Sequence, residues 1–325
     1  MTSDAGSGAP VSGVPVGQVD ASLVPRFAGI RTFARLPMLG QVDCADIAVL
    51  GAPFDGGTTF RAGARYGPAG IREASLLLRP YNDALGVSPF AECQVVDAGD
   101  ASPNPVDIVE AHRSIEQAAG ELHSQGTHVL GLGGDHSVSL PFLRAAAATH
   151  GPLSLLQLDA HTDTWDSYFG AKLTHGTMFR RAVEEGVING ETSVQIGLRG
   201  SLYEPSDYAE NAGLGFTTLL ARDLDAAGIS GAVELAVKHL RGPVYVTVDI
   251  DCLDPAFAPG TGTPEAGGLS SRELLAILRG VAGRVNVAAA DVVEVSPPYD
   301  PTGCTAVAGA NVAYELIGLL VLSRR

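Results

Sequence analysis

The chain has 325 residues, 46% of them hydrophobic, and carries 36 acidic against 21 basic residues, a formal charge of −15. Phosphate backbones are bound by basic surfaces, so this charge argues against a nucleic-acid partner and favours a small cationic ligand. The four cysteines include no C-x-x-C pair, which argues against a zinc ribbon or a disulfide framework and indicates a reducing, cytoplasmic setting.

The first predicted segment, residues 1–24, is rich in Gly, Ser, Ala, Pro and Val and lacks the basic start and long apolar run of a secretory signal. We expect a flexible N-terminal arm there. Residues 25–325 are expected to form a single domain, because no linker divides them. The last apolar run, 305–323, is interrupted by Asn311 and Glu315, so we expect a buried terminal helix and no membrane contact.

Between these ends, apolar strand-like runs alternate with amphipathic stretches. Strands are expected at 45–51, 94–97, 128–132, 153–158, 193–197, 244–250 and 285–295, and helices at 68–78, 105–125, 137–150, 176–185, 229–240 and 270–281. This alternation, with continuous apolar strands, predicts an α/β protein in which helices cover both faces of a mostly parallel sheet, a three-layer α/β/α fold. Ligands in such folds bind at the carboxyl ends of the strands.

Three polar motifs lie where predicted strands end: Gly133-Gly-Asp-His136, Asp159-Ala-His-Thr-Asp163 and Asp249-Ile-Asp251. Side chains two residues apart on an extended chain point to the same side, so the acids of one motif can converge. Converging carboxylates repel one another unless a cation neutralises them. The economical solution is a pair of divalent metal ions that activates water for hydrolysis. The candidate ligands are His136, Asp159, His161, Asp163, Asp249 and Asp251.

The types of these ligands indicate which metal would bind. Two histidines and four carboxylates without a thiolate suit Mn²⁺ better than a structural Zn²⁺, although Ni²⁺ or Co²⁺ would also fit. Two of the aspartates would have to bridge the ions so that six residues can serve both. Taken alone, the motif at His136 has simpler interpretations, since its glycines could form a phosphate-binding loop or a turn and Asp135 could cap a helix.

Three further residues are candidates for catalysis or substrate binding. His175 lies a dozen residues beyond Asp163, where it is either an exposed residue at the start of a helix or a proton-transfer group. Glu294 closes the last predicted strand, and it either pairs with a core arginine or binds a cationic head group. Trp165, the single tryptophan, either lines the pocket or packs at the base of its loop.

The motifs together closely resemble the ureohydrolase family, which includes arginases, agmatinases, guanidinobutyrases and proclavaminate amidinohydrolases. The resemblance runs from about Val49 to Pro297 and includes the loops 51–57, 61–68 and 249–264. It implies an arginase-like fold, hydrolysis of a guanidinium group to urea and an amine, and assembly into a homotrimer or homohexamer.

The resemblance also implies a role for each candidate residue. His136, Asp159, Asp163 and Asp249 would hold one Mn²⁺ ion, and the other ion would be held by Asp159, His161, Asp249 and Asp251. His175 would relay protons and help the leaving amine depart. Glu294 would orient the guanidinium, whose planar fork a carboxylate matches well. Asp163 counts as both a ligand and a catalytic residue.

The substrate depends on the loop before His175. Arginases carry a segment like Asn-Ser-Gly-Asn there, whereas residues 165–174 of this chain lack it and look most like agmatinases. We therefore expect agmatine to be cleaved to putrescine and urea. The alternatives are guanidine or a guanidino acid such as 4-guanidinobutyrate, whose carboxylate would need a cation. The candidate cations are Arg61, Arg65, Lys172, Arg180 and Arg199.

Two other classes of protein remain as alternatives. An inactive guanidine-binding relative should have lost a ligand or the histidine, yet all the expected positions are filled. An amide deacetylase on a related fold would use one zinc ion and fewer bridging acids. Asp163, Asp251 and Glu294 together argue against that second class.

Overall fold

The computed structural model of the chain describes residues 14–325. Within that range, eight strands form one sheet in which every neighbouring pair is parallel. The strands are β1 (Ile47–Ala52), β2 (Val95–Asp100), β3 (His128–Gly133), β4 (Ser154–Leu158), β5 (Val194–Leu198), β6 (Thr217–Leu220), β7 (Pro243–Asp249) and β8 (Asn286–Val293). Their order in the sheet is β2-β1-β3-β8-β7-β4-β5-β6.

Helices connect successive strands, as the alternating pattern predicts. They are α1 (Gly67–Ser75), α2 (Pro89–Glu92), α3 (Ile108–Ser124), α4 (Ser139–His150), α5 (Met178–Glu184), α6 (Asp207–Gly213), α7 (Ala221–His239), α8 (Ser271–Val281) and α9 (Cys304–Ser323). Short 3₁₀ turns include His136–Val138 and Ile250–Cys252 at the carboxyl ends of β3 and β7.

The helices lie on both faces of the sheet because strand side chains alternate between the faces. On β7, Val244, Val246 and Val248 belong to one buried cluster, with α1, α7, α8 and α9, whereas Tyr245 belongs to the other, with α3, α4 and α5. Every residue of β1, β4 and β5 is buried, which explains why these strands read as continuous apolar runs. The predicted three-layer fold is confirmed.

The sequence pattern missed α2, α6 and β6, and the last two lie together near one edge of the sheet. β6 is only four residues long and half-buried throughout, and α6 has a single fully buried side chain, Asn211. Neither therefore shows the apolar period on which prediction depends. Helix α7 also begins earlier than the predicted 229, and Gly228 interrupts it with φ 65°.

The two ends of the chain were also predicted. Of the predicted arm, residues 1–13 lie outside the described range. Beyond them, the backbone N–H of Val16 donates to Gln94 Oε1 at 2.8 Å, and Gln18 donates to the Ala34 carbonyl at 2.9 Å.

Helix α9 is long and apolar enough to cross a membrane by composition, with a mean hydropathy of 1.6, but 78% of its apolar window is buried inside the protein. The predicted buried terminal helix is confirmed.

Candidate active site

The candidate residues converge because their strands are neighbours in the centre of the sheet. The order β3-β8-β7-β4 places four carboxyl ends side by side, and in a parallel sheet all of them open on the same edge. These ends carry His136 after β3, Glu294 after β8, Asp249 and Asp251 at the end of β7, and Asp159, His161 and Asp163 after β4.

Two groups of side chains offer ligand atoms that lie within 4.8 Å of one another. The first group is His136, Asp159, Asp163 and Asp249, and the second is Asp159, His161 and Asp251. Asp159 belongs to both groups, as expected of a bridging ligand. Asp249, the other residue predicted to bridge, belongs only to the first group. All six predicted ligands thus lie in one cluster.

The first group has the donor geometry of a cation site. His136 Nδ1 lies 3.1 Å from Asp159 Oδ2, 2.9 Å from Asp163 Oδ2 and 3.2 Å from Asp249 Oδ2. Although these contacts are short, none is aligned as a hydrogen bond, and the nitrogen is buried without a partner. A buried imidazole nitrogen among three carboxylate oxygens fits a divalent ion with nitrogen and oxygen ligands.

The cluster is electrostatically unfavourable without added positive charge. Burial, together with the carboxylates of Asp251 and Asp159, raises the pKa of Asp249 well above its ordinary value. Burial and Asp159 also raise the pKa of Asp163 to about 6. A bound divalent cation would reverse both effects, because it favours the ionised form of each carboxylate.

The backbone is held in an unusual conformation at two of the candidate residues. Asp163 has φ 54° and Glu294 has φ 63°, two of only five non-glycine residues with positive φ in the described range. Such conformations persist only where the surrounding structure enforces them, and they cluster at functional sites. The two residues therefore owe their side-chain directions to their loops rather than to regular strand geometry.

His175 and Glu294 form a buried pair beside the cluster. His175 Nδ1 lies 3.0 Å from Glu294 Oε1, and His175 Nε2 lies 2.7 Å from Thr59 Oγ1. Burial lowers the pKa of His175, but the hydrogen bond and charge of Glu294 outweigh it and raise that pKa to about 9. The interpretation of His175 as an exposed residue at a helix start is wrong, since it is 8% exposed.

Glu294 has one oxygen engaged and one free. Its Oε1 also accepts the backbone N–H of His136 at 2.9 Å, whereas Oε2 is buried without a hydrogen-bond partner. Among the described residues no arginine pairs with Glu294, so the alternative of a pair with a core arginine is wrong. A carboxylate oxygen left free in this way is a strong acceptor for a ligand N–H.

A pocket of about 490 Å³ opens above these residues. His161, Asp163, His175 and Asp249 lie at its floor, and Trp165, Tyr168, Tyr203 and Tyr208 line its wall. Trp165 stacks on Tyr168 with ring centroids 5.2 Å apart and meets Tyr203 edge-on at 5.5 Å. It also packs against Gly176, so Trp165 both lines the pocket and supports its loop.

Of the five candidate cations, the structure places Arg61 and Arg199 at the pocket. Arg199 donates to the backbone carbonyls of Asp251, Leu253 and Glu265, among others, which makes it part of the scaffold. Arg61 stacks on two aromatic rings, Phe60 and Tyr299, and makes no salt bridge within residues 14–325. Arg65, Lys172 and Arg180 each lie near an acidic side chain instead.

A row of buried polar residues beneath the cluster was not predicted from the sequence. Gln157, Thr247 and Asp291 are partners in register on β4, β7 and β8, and all are fully buried. Thr247 Oγ1 lies 2.8 Å from His136 Nε2, and Gln157 donates to Asp159 Oδ2 at 2.7 Å. Gln157 and Thr247 could have been noticed in the sequence, because each is a polar residue in an apolar strand two positions before a predicted ligand.

Comparison with known proteins agrees with this geometry. A sequence model of the arginase family matches residues 45–318. A guanidinopropionase of Pseudomonas aeruginosa is 45% identical, with 94% of this chain and 96% of that protein covered. A mitochondrial agmatinase of Gallus gallus is 42% identical, with 92% and 88% covered.

Solved structures show the same fold. The proclavaminate amidino hydrolase of Streptomyces clavuligerus superposes with a TM-score of 0.88 at 41% identity, covering 92% of this chain and 100% of that one. A Trypanosoma cruzi formiminoglutamase with two Mn²⁺ ions gives a TM-score of 0.77 at 25% identity, covering 85% and 94%. The arginase-like fold is thus confirmed, and the chain belongs to the arginase family of amidinohydrolases, the ureohydrolases.

Proposed function

We propose that this protein hydrolyses a small linear guanidino compound to urea and an amine at a centre of two Mn²⁺ ions. The observation that carries the proposal is the sharing of Asp159 between two ligand groups beside the His175–Glu294 pair. Members of both sets, including His161, Asp163 and His175, line one pocket. Divalent ions held there would lower the pKa of water, which is the chemistry that hydrolysis of a guanidinium group needs. The proposed ligands are His136, Asp159, His161, Asp163, Asp249 and Asp251.

Glu294 would orient the guanidinium group. Its Oε1 is occupied by His175 and by the backbone of His136, which leaves the partnerless Oε2 to accept an N–H of the substrate. Charge-assisted hydrogen bonds of this kind are stronger than neutral ones and fix the plane of the guanidinium. Orientation and binding thus come from the same oxygen.

His175 would deliver the proton that the leaving amine needs. Its raised pKa of about 9 keeps it protonated at neutral pH, and it lines the pocket next to Asp163 and Thr59. A positioned acid of this kind contributes typically about 10²- to 10⁴-fold to a rate. Without it, the amine would have to leave as a poor, unprotonated leaving group.

For the substrate, we propose agmatine first. Two carboxylates, Asp207 and Glu265, line the outer pocket together with tyrosine and tryptophan rings, and neither forms a salt bridge within the described range. Acidic and aromatic groups together favour a cationic tail such as the ammonium group of agmatine. The strongly acidic chain would also attract a dication.

A guanidino acid is the second candidate, and Arg61 is the observation that favours it. Its guanidinium lines the pocket without an acidic partner, so it could receive a substrate carboxylate. A relative at 45% identity is named a guanidinopropionase. The same reaction would then release urea and an amino acid.

A urea-release panel with paired variants tests both candidates. Metal-free protein is assayed with agmatine, 4-guanidinobutyrate, 3-guanidinopropionate, arginine and guanidine, with and without Mn²⁺. If agmatine is the substrate, Asp207→Asn raises its KM and Arg61→Gln leaves it nearly unchanged; a guanidino acid gives the reverse. No urea from any guanidine at any Mn²⁺ concentration would contradict the proposed reaction.

We also propose that the protein acts in the cytoplasm as a homotrimer or homohexamer. Large apolar side chains including Phe27, Ile30 and Phe257 are exposed, at 80%, 79% and 42%, and association would bury such surface. Light scattering coupled to size-exclusion chromatography measures the mass directly. A monomer at micromolar concentration would contradict the proposed assembly.

A further inference from the structure

A chain of three buried amides runs from helix α6 to the metal-site carboxylate Asp159. Gln157 on β4 and Gln195 on β5 are register partners, and Asn211 lies on α6. Gln157 donates to Asp159 Oδ2 at 2.7 Å, Gln195 donates to Gln157 Oε1 at 2.7 Å, and Asn211 donates to Gln195 Oε1 at 2.6 Å. Their exposed fractions are 0%, 0% and 1%.

The direction of this chain is fixed by groups that can only accept. Besides Asp159, Gln157 Nε2 faces the carbonyl of His161 at 3.1 Å, and Gln195 Nε2 faces the carbonyl of Thr162 at 3.0 Å. Gln157 and Gln195 must therefore each point the NH₂ group toward the loop and the oxygen toward the next donor, and Gln195 Oε1 accepts from Asn211 Nδ2. The three donations run in one direction, so each donor strengthens the next and the last stabilises a negative charge on Asp159.

The same amides hold the whole ligand loop, which needs such support. Asn211 Oδ1 accepts the hydroxyl of Thr164 at 3.0 Å, so the chain contacts the Asp159 side chain, two loop carbonyls and the loop's far end. Between these contacts lies Asp163 with φ 54°. A non-glycine residue in that region is costly and keeps its conformation only where neighbours fix the backbone on both sides.

We infer that Gln157, Gln195 and Asn211 are positioning residues that set the orientation of Asp159 and of the loop 159–164 for metal binding. They act on the metals through Asp159 rather than by touching them. Asn211 lies on α6, whose first residue Asp207 lines the pocket. This inference rests on the proposed metal centre.

Calorimetric titration of Mn²⁺ into the metal-free full-length protein tests the inference. Gln157→Met keeps the volume of the side chain but removes both donors, and loss of a group that orients a ligand typically costs about 10- to 100-fold in metal affinity. Gln195→Met should weaken binding by a smaller factor, since it acts one hydrogen bond further away. Equal affinity and stoichiometry in wild type and Gln157→Met would overturn the inference.

A matched control separates positioning from general destabilisation. Gln94 is also a buried glutamine, 8% exposed, but it bonds to Val16 far from the site, so Gln94→Met should bind Mn²⁺ like wild type. The rise in Tm caused by saturating Mn²⁺ is measured for each variant, because ligands stabilise according to their affinity. A positioning role reduces that rise for Gln157→Met, whereas a lower Tm with the full rise retained would contradict it.

The outcomes also distinguish this inference from the proposed function. If wild-type protein binds no Mn²⁺ pair and releases no urea, the proposed function fails. If wild type binds two ions and releases urea while Gln157→Met binds them equally well, only the positioning role fails. Should Gln157→Met not fold, Gln195→Met is judged by the same affinity and Tm criteria.

Discussion

The floor and the wall of the pocket are built in different ways. The floor consists of strand ends whose ligands are buried except for the partly exposed His161, with Asp159 at 0% exposure and a second row of buried polar groups beneath it. The wall consists of aromatic residues, of which Trp165, Tyr168 and Tyr203 lie on two loops and Tyr208 on α6, and Tyr203 is 70% exposed. A rigid floor suits a fixed reaction, whereas a loop wall can change its side chains without disturbing the metals.

The first prediction concerns the loss of a metal ligand at the floor, which should abolish activity. Asp163→Asn removes a carboxylate from the first ligand group, which contains only one histidine and three acids. We expect the loss of one metal ion per chain and urea release at the level of buffer. Elemental analysis and a urea assay measure the two effects, and unchanged urea production would count heavily against the assigned site.

The second prediction removes the proton donor while leaving the metals in place. His175→Asn should lower kcat by about 10²- to 10⁴-fold with normal Mn²⁺ stoichiometry. Without bound ions, the pKa of His175 is raised to about 9 from the ordinary 6.5. Bound cations would lower that pKa, because they disfavour a protonated imidazole nearby, so we expect activity to fall with rising pH at a pH below 9. The pH–rate profile checks this, and a variant that keeps the same alkaline limb would exclude His175 as its origin.

The same shift predicts a change in stability with pH. Because His175 binds its proton more tightly in the folded protein than in the unfolded chain, its contribution to the free energy of unfolding is complete below pH 6.5 and is lost as pH rises through about 9. Urea denaturation of metal-free wild type and metal-free His175→Asn over this range measures the difference. A difference that grew with rising pH would have the wrong sign.

The third prediction concerns the wall and should change substrate binding without changing metal content. Trp165→Ala removes the ring that stacks on Tyr168, and we expect KM to rise roughly tenfold, about the loss of one aromatic contact. Metal content should stay at the wild-type value. If metal binding also fell, the wall and the floor would not be independent.

Two glycine-to-alanine substitutions, one at the floor and one at the wall, should have milder effects on the kinetics. An added methyl group at Gly262 would lie 3.1 Å from Glu294 Oε2, and one at Gly176 would lie 2.8 Å from the ring of Trp165. We expect Gly262→Ala to lower kcat through the floor and Gly176→Ala to raise KM through the wall. Steady-state kinetics separate the two, and identical effects would remove the distinction.

The floor was largely predictable from the sequence. Each ligand motif follows an apolar strand, and parallel strands end at one edge, so His136, Asp159 and Asp249 had to meet if their strands were neighbours. The strained backbone at Asp163 and Glu294 left no trace in the apolar pattern. Their side-chain directions came only with the structure.

The amide chain and the wall were not predictable. Gln157 and Gln195 are 38 residues apart, and their contact depends on a strand register that one sequence does not specify. Asn211 lies on a helix without a clear apolar period, and Tyr203 lies on a loop 35 residues from its partner Tyr168. Neutral polar residues inside strands are therefore worth inspection wherever ligands follow two positions later.

The most direct test of the metal-centred account is urea release measured against Mn²⁺ content. Metal-free protein is reconstituted stepwise, and each sample is assayed for bound Mn²⁺ and for turnover of its best guanidino substrate. We expect no turnover without metal and a turnover rate that reaches a plateau at two bound ions per chain. Full activity at one ion per chain, or turnover independent of Mn²⁺ content, would contradict it.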